Sequence, residues 1–237
     1  NVAKISDYAF ADCSGLKTVV VNEGTTEICA NAFQNCSGLT ELSLGEGLTT
    51  IGRNAFTGCS ALNEVVLPDS VTTIGWEAFS NCTKLRSINY PMSWVNVPTR
   101  SYGNNGPNYR GRIFAGCSSL KKIQIPEGVT SIPAYAFNGC TYLEEVVFPS
   151  TLTTVGEYAF YGCTNLTNVD TNEGLTTIGN DAFRSCTGLK TIDLPESLTT
   201  LSGYAFQGCT GLTGIEIPGN VAKISDYAFA DCSGLKT

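Results

Sequence analysis

The spacing of the cysteines is the feature that most constrains the fold of this chain. Ten of the 11 cysteines recur along 237 residues in steps of 23, except for one step of 35. A phenylalanine stands three residues before each of the ten, and a leucine stands three residues after each. Such a period, held by large apolar residues, is typical of a solenoid in which each coil buries its apolar face against its neighbours. The spacing predicts one solenoid over residues 1–237, with about ten 23-residue coils.

Each coil carries two short stretches with the pattern of a β-strand. The first alternates apolar and polar residues and ends at proline or glycine, as in LNEVVLP from Leu62 to Pro68. The second is a T-T-[IVL] stretch, as in Thr72 to Ile74. An Ala-Phe pair follows it and favours either a tight turn or a single helical turn. We therefore expect a mainly β repeat solenoid with two parallel ladders, stacked at about 4.8 Å per coil.

The aligned unit identifies a family. It reads C-x-x-L-x-x-[IV]-x-[ILVF]-P-x-x-[VL]-T-x-I-x-x-x-A-F-x-x, and it resembles the BspA-like leucine-rich repeat over the whole chain apart from the long interval. The resemblance implies a curved right-handed solenoid with the L-x-x-I-x-L strands on its concave side. It also implies proteins on, or released from, microbial cells that adhere to host or matrix components. The departures are local: Asn22, Gly45 and Asn172 replace the proline, Thr171 replaces an apolar residue, and Ile113 replaces the alanine.

The composition argues against several classes of function. A formal net charge of −7 repels the phosphate backbone of nucleic acids. The chain contains no histidine, which removes the commonest general base and metal ligand. No run of 18 apolar residues is present to span a bilayer. We therefore expect a non-enzymatic protein with no cofactor, no metal, no nucleic-acid partner and no membrane span in this segment. Weak glycosidase-type activity of acidic pairs is the enzyme alternative.

The cysteines predict a column of thiols rather than a disulfide framework or a metal site. Equivalent residues on successive coils have parallel Cβ vectors, which do not converge as a disulfide requires. A 23-residue spacing gives a line of sulfur atoms rather than a tetrahedron. The thiols should therefore pack as small hydrophobes. The eleventh cysteine, Cys29, occupies a turn slot that glycine fills in the next two coils, so either a tolerated small residue or an exposed thiol is expected there.

The 35-residue interval contains an insertion at residues 91–112 that is a candidate binding loop. Insertions in solenoids map to loops on one face, often the binding face. Aromatic and arginine side chains are enriched at binding hot spots. An inert excursion that packs on the coil edge is the equal alternative. The candidate residues are Trp94, Arg100, Tyr102, Tyr109, Arg110 and Arg112.

Two columns on the predicted coils are further candidates. Outward strand positions on successive coils place Asp170, Asp193 and Glu216 in one row. Carboxylates about 5 Å apart in water repel by about 1 kcal/mol, so a solvated row is tolerable, and a cation or a basic partner would relieve it. A row of tyrosines before the Ala-Phe pair is interpreted as edge packing in preference to a ligand platform: Tyr8, Tyr135, Tyr158, Tyr204 and Tyr227.

The two ends of the chain carry the same 18 residues. Residues 220–237 repeat residues 1–18 exactly at an offset of 219, and structural selection does not explain identity at surface positions. We interpret residues 220–237 as the start of a second 219-residue block in a longer array, and end-to-end self-association is the related possibility.

The hypothesis that follows is a cell-surface or extracellular adhesion solenoid that binds a protein or glycan of a host or matrix. A purely structural filament or surface-layer protein without a ligand is the alternative. This localisation is expected from the family resemblance alone, because the segment itself carries no signal peptide that would indicate it.

Overall fold

Parallel strands stacked coil upon coil form the fold. The computed structural model describes residues 2–90 and 111–236. Within those residues it contains short strands and turns but no helix, so none of its segments is a helix that could cross a membrane. The Ala-Phe pairs lie in tight turns rather than in single helical turns, as in the bonds from Ala9 N to Ser6 O and from Cys13 N to Phe10 O. The predicted parallel solenoid is confirmed.

The first ladder is built from the alternating stretch of each coil. Its strands are β2 (Thr18–Val21), β4 (Glu41–Leu44), β6 (Glu64–Val65), β8 (Ser87–Ile88), β9 (Lys122–Gln124), β11 (Glu145–Val147), β13 (Asn168–Asp170) and β15 (Thr191–Ile192). All of the paired strands are parallel, in the orders β2-β4, β6-β8 and β9-β11-β13-β15.

The second ladder is built from the T-T-[IVL] stretch. Its strands are β1 (Lys4–Ile5), β3 (Glu27–Ile28), β5 (Thr50–Ile51), β7 (Thr73–Ile74), β10 (Ser131–Ile132), β12 (Thr154–Val155), β14 (Thr177–Ile178) and β16 (Thr200–Leu201). They pair in parallel in the orders β1-β3-β5-β7 and β10-β12-β14-β16, with equivalent residues of successive coils in register. An isolated parallel bridge joins Leu201 to Ile224.

The core lies between the two ladders and consists of columns of equivalent apolar residues, of which the phenylalanine and cysteine columns are uniform. One continuous apolar cluster extends from Val21 to Cys232. The phenylalanine rings stack in single file with centroids 5.0 to 5.4 Å apart over most of the column. Leu62 and Leu85 are fully buried beside them. Equivalent side chains of the same size stack on one another, so the distance between successive coils is nearly constant along the stack.

The long interval does not interrupt the stack of coils. Phe79 and Phe114 are 35 residues apart, yet their ring centroids lie 6.3 Å apart, with the rings tilted by 35°. Phe79 N donates to Ile113 O at 3.0 Å. The coils before and after the insertion are therefore direct neighbours.

Candidate binding surfaces

The outward side chains of the first ladder form a continuous exposed column, which we call the first-ladder face. Along each strand, buried and exposed residues alternate, as in β11, where Val146 is buried and Glu145 and Val147 are exposed. The buried valine packs in the core because side chains of a strand point alternately to its two sides. The members of the column are Val20, Ser43, Val66, Asn89, Gln124, Val147, Asp170, Asp193 and Glu216.

The early coils give this face an apolar section. Val20 is 64% exposed and Val66 is 69% exposed. A groove of about 580 Å³ runs between them and is also lined by Ser43, Glu41 and Glu64. Val147 is 49% exposed and borders a second groove, of about 500 Å³. Exposed valines that line grooves beside carboxylates suit a partner that offers both apolar and basic groups.

The late coils give the same face its acidic section. The register of β11, β13 and β15 aligns Val147 with Asp170 and brings Asp193 next in the column. Asp170, Asp193 and Glu216 are all exposed, and a groove of about 540 Å³ is lined by the last two. None of the three takes part in an ion pair with another described residue. The three carboxylates therefore form an acidic strip that has no ion-pair partner among the residues that the structure describes.

The acidic section is not arranged as a metal site. Among residues 2–90 and 111–236, no three Cys, Asp or Glu side chains lie close enough to hold one metal ion. Elsewhere on the ladders, carboxylates pair with lysines of the neighbouring coil, as in Lys122 Nζ to Glu145 Oε2 at 3.6 Å. A basic side chain from a partner is therefore the natural neutralising group for Asp170, Asp193 and Glu216.

The candidate loop falls mostly outside the described residues. That applies to Trp94, Arg100, Tyr102, Tyr109 and Arg110. The sixth candidate, Arg112, is described. Its Nη1 donates to Glu77 Oε1 at 3.3 Å, and its guanidinium lies 5.0 Å from the centroid of the Tyr135 ring. Arg112 thus ties the returning end of the insertion to the coils on either side of it.

Tyr135 belongs to a second column, which sequence reasoning interpreted only as edge packing. Its members precede the Ala-Phe pair, and most have a positive φ, which is unusual for a residue with a side chain. Tyr135 and Tyr158 have φ of 60° and 55°, and their rings stack at 4.7 Å. Asn31 and Asn54, which tolerate this conformation best, occupy the same slot and are the signal that could have predicted it. The left-handed backbone turns these side chains into a row along one edge of the solenoid.

Charged groups join the tyrosines in this row. Arg184 Nη1 donates to the buried carboxylate of Asp181 at 2.9 Å. The same guanidinium lies 5.5 Å from the centroid of Tyr204 and 5.9 Å from that of Tyr161. Burial, with a further contribution from Asp181, raises the pKa of Tyr158 to about 12. The rings of Tyr135 and Tyr204 each lie against another tyrosine ring and an arginine, so these two residues do not present a free ring face.

The thiol column is confirmed, with a bonding role that the sequence did not predict. Nine of the ten periodic cysteines are buried free thiols, whereas Cys13 in the first coil is exposed. Each buried thiol donates to the carbonyl of the phenylalanine 26 or 38 residues earlier, as in Cys140 Sγ to Phe114 O at 3.3 Å. Burial raises the pKa of Cys117 to about 12. A thiol that stays protonated is a poor nucleophile and metal ligand. The role that the contacts of these residues support is to hold successive coils together.

Cys29 differs from the column but is not activated. It is partly buried in a turn of the second coil. Burial, and then the nearby carboxylate of Glu27, raises the pKa of the Cys29 thiol. Its thiolate is therefore disfavoured at neutral pH.

Solved structures with the same fold come from bacterial leucine-rich repeat proteins. A leucine rich cell surface protein from Faecalibacterium prausnitzii A2-165 is 28% identical, with a TM-score of 0.63, over 99% of this chain and 68% of that one. The T. pallidum leucine rich repeat protein is 25% identical, with a TM-score of 0.55, over 90% and 86% of the two chains. The pneumococcal vaccine antigen PcpA, 23% identical with a TM-score of 0.60 over 100% and 67%, shares the fold. A search of curated proteins found no match.

The family profile agrees with the stacked columns. The BspA type leucine rich repeat region matches residues 1–106 and 110–236 in six copies. The phenylalanine, cysteine and leucine positions that define the repeat are those that form the buried file in the structure. This chain therefore belongs to the BspA-type leucine-rich repeat family.

Proposed function

We propose that this chain is a non-enzymatic binding protein of the cell surface or extracellular space, which recognises a protein or glycan of a host or matrix through the first-ladder face. The observation that carries the proposal is the exposure of Val20 and Val66 in the same column as Asp170, Asp193 and Glu216. Exposed apolar groups on the same face as exposed charges are a property of interaction surfaces. The surface location is supported by the similarity to the leucine rich cell surface protein of F. prausnitzii.

The chemistry of this face favours a protein ligand with an apolar and a basic segment. Val66 and Val147 offer apolar contacts, whereas the acidic strip attracts lysine or arginine. The overall charge of −7 also favours a basic ligand, because it attracts positively charged molecules over a long range. Trp94, Arg100 and Tyr102 of the insertion provide a second site, which suits a glycan because aromatic rings stack on sugars. End-to-end association of chains is a further part of the proposal.

A binding panel with three sets of variants tests which surface is used. The chain is assayed against matrix proteins and glycans by surface plasmon resonance. Val66→Glu should weaken binding of the protein ligand at least about tenfold if this side chain is a central contact. Asp170→Asn with Asp193→Asn should reduce the salt dependence of association. Tyr142→Glu, at a residue that is 53% exposed in a turn off the strand column, is the matched control and should bind normally.

The insertion is tested separately by the substitutions Trp94→Ala and Arg100→Ala. Deleting the whole insertion would be less informative, because Arg112 contacts both neighbouring coils. Glycan binding lost in the loop variants but retained in Val66→Glu would assign the two ligands to two surfaces. Unchanged binding in every variant would reject both surfaces and favour a purely structural role.

A further inference from the structure

The tyrosine row contains a pair of rings that the backbone holds face to face in the interior of the stack. Tyr135 and Tyr158 occupy equivalent positions in successive coils, and their ring planes are inclined by only 4° at a centroid distance of 4.7 Å. Tyr135 N donates to Glu157 O at 2.9 Å, and Tyr158 N donates to Asn180 O at 2.9 Å. Backbone bonds to the following coil therefore fix both residues. Further coils stack on each side of the pair, so its geometry is that of an interior position.

A buried carboxylate adjoins the phenol of Tyr158. Asp181 is only 4% exposed, and its Oδ1 accepts from Arg184 Nη1 at 2.9 Å. Burial is the first cause of the raised pKa of Tyr158, about 12, and the charge of Asp181 and its hydrogen bond with the phenol are the next. The phenol therefore stays protonated at neutral pH. A phenol that loses an electron also releases its proton, and Asp181 is a positioned base for that proton.

Access from solvent distinguishes these tyrosines from the thiol column beside them. Tyr135 and Tyr158 are half-buried on the edge of the solenoid. The thiols of the same two coils, Cys140 and Cys163, are buried, free and bonded to backbone carbonyls. Thiols are oxidised in proportion to their exposure and their thiolate character, and these two have little of either. The stacked tyrosines therefore give an external oxidant a more accessible route to a covalent bond between coils.

We propose that Tyr135 and Tyr158 form a modification site at which a one-electron oxidant joins two successive coils through a dityrosine bond. Each phenol gives one electron to the oxidant and one proton, that of Tyr158 to Asp181 and that of Tyr135 to water. The two radicals then form a carbon–carbon bond between the ring positions next to the hydroxyl groups. Each of these carbons loses its proton as each oxygen regains one, so both phenols are restored. One hydrogen peroxide, activated by a haem peroxidase, takes up both electrons and both protons and becomes two waters.

The stacking of the two rings decides where the bond forms. A radical on Tyr158 meets the ring of Tyr135 in its own chain, and a partner held at this distance reacts as if it were highly concentrated. Tyr142 is more exposed, at 53%, but it belongs to no stacked pair of the residues that the structure describes. A radical on Tyr142 must therefore find a second chain. Exposure alone favours Tyr142 and cross-linked dimers, whereas stacking favours a bond inside one chain.

The modification site is independent of the first-ladder face, so its test needs no ligand. The whole chain carries the background substitution Tyr227→Phe, which removes a phenol from the second stacked pair, Tyr204 and Tyr227 at 5.0 Å. The oxidant is a haem peroxidase with hydrogen peroxide, applied to a dilute solution of the chain at neutral pH. Dityrosine fluorescence and the intact mass of the chain follow the reaction.

The expected product is a single chain of 25.1 kDa that has lost two hydrogen atoms. Cleavage after glutamate, as at Glu144 between the two tyrosines, should release one cross-linked pair of peptides that contain Tyr135 and Tyr158. The rate should not depend on protein concentration, and the yield should fall in urea, where the coils no longer hold the rings together. Tyr135→Phe keeps the ring but removes one phenol and should abolish the product. Tyr142→Phe is the matched control and should leave the product unchanged.

The role of Asp181 is tested by Asp181→Asn, which removes the base and keeps a side chain of the same shape. This variant should form the cross-link at least about tenfold more slowly, and added imidazole, a small base, should restore part of the rate. A base would not rescue a purely structural role, and an unchanged rate would overturn the assignment of Asp181. The modification site itself is overturned if Tyr142→Phe removes most of the product, if Tyr158 couples instead to Tyr161 or to a second chain, or if the yield in urea equals that of the folded chain.

Discussion

The thiol column predicts a steep loss of stability at alkaline pH. In the folded chain, burial raises the pKa values of Cys59, Cys117 and Cys209 from 9.0 to about 12. Above pH 9 the unfolded chain releases these thiol protons while the folded chain retains them. The folded state binds more protons, so the free energy of unfolding falls as pH rises, by about 1.4 kcal/mol per pH unit for each thiol. The loss continues until the pH passes the folded pKa values, about three units higher.

The magnitude is large compared with the stability of an ordinary domain. These three thiols together remove about 4 kcal/mol per pH unit above pH 9. Typical domains have about 5 to 15 kcal/mol in total. We therefore expect unfolding within about one to three pH units above 9, the interval in which the unfolded chain loses these protons while the folded chain retains them.

Urea unfolding at a series of pH values, followed by circular dichroism in a reducing buffer, measures this slope. The control is Cys117→Ala, which removes one thiol and its bond to Phe79 O at 3.2 Å. Its stability at pH 8 should be lower, but its slope above pH 9 should be shallower by about 1.4 kcal/mol per pH unit. A free energy of unfolding that stays constant from about pH 9 to 11, or equal slopes in the two proteins, would refute the reasoning.

Three further outcomes are expected from the same structure. Phe137→Ala, in the middle of the ring stack, should lower the free energy of unfolding by about 3 to 5 kcal/mol in urea melts, and Phe10→Ala should cost less because Phe10 is already 42% exposed. Hydrogen bonds from Ser150 lower the pKa of Glu127 below its ordinary value of 4.5. The ionised carboxylate therefore stabilises the fold above pH 4.5, and this contribution is lost as the pH falls through the pKa of the folded state. Glu127→Gln should flatten the acid side of the profile of stability against pH. In alkylation followed by mass spectrometry, Cys13 should react in the native chain, whereas the buried cysteines should react only after unfolding.

The architecture was predictable because each coil repeats one apolar pattern. A leucine such as Leu62 and a phenylalanine such as Phe79 recur at a single period, and one period can bury them only if coils stack. The outward position of Asp170, Asp193 and Glu216 followed from the alternation along a strand. The stacking of the coils and the outward strand positions could therefore be predicted from the repeat pattern alone.

Features that depend on the offset between coils were not predictable. The bond from Cys140 Sγ to Phe114 O joins atoms 26 residues apart, one period plus three residues, so it depends on how far each coil is shifted along the next. The positive φ of Tyr135 could not be predicted from its own coil, since tyrosine does not favour the left-handed region and only Asn31 and Asn54 in the same slot of other coils indicate it. Both arise from the tight turn around the Ala-Phe pair, whose geometry is determined by the stack rather than by its own residues.

The contacts that set the spacing of the coils do not involve the outward strand residues, so the first-ladder face can vary while the stack stays constant. The carbonyl of Phe10 accepts from Cys13 N within its own coil at 3.2 Å and from Cys36 Sγ of the next coil at 3.0 Å. One backbone oxygen thus sets both the turn and the distance between coils, and no outward strand residue takes part. Val66 and Asp193 can therefore occupy the same column at no cost to the stack. Substitutions on the first-ladder face should change binding with little effect on stability, whereas substitutions in the phenylalanine and cysteine columns should do the reverse.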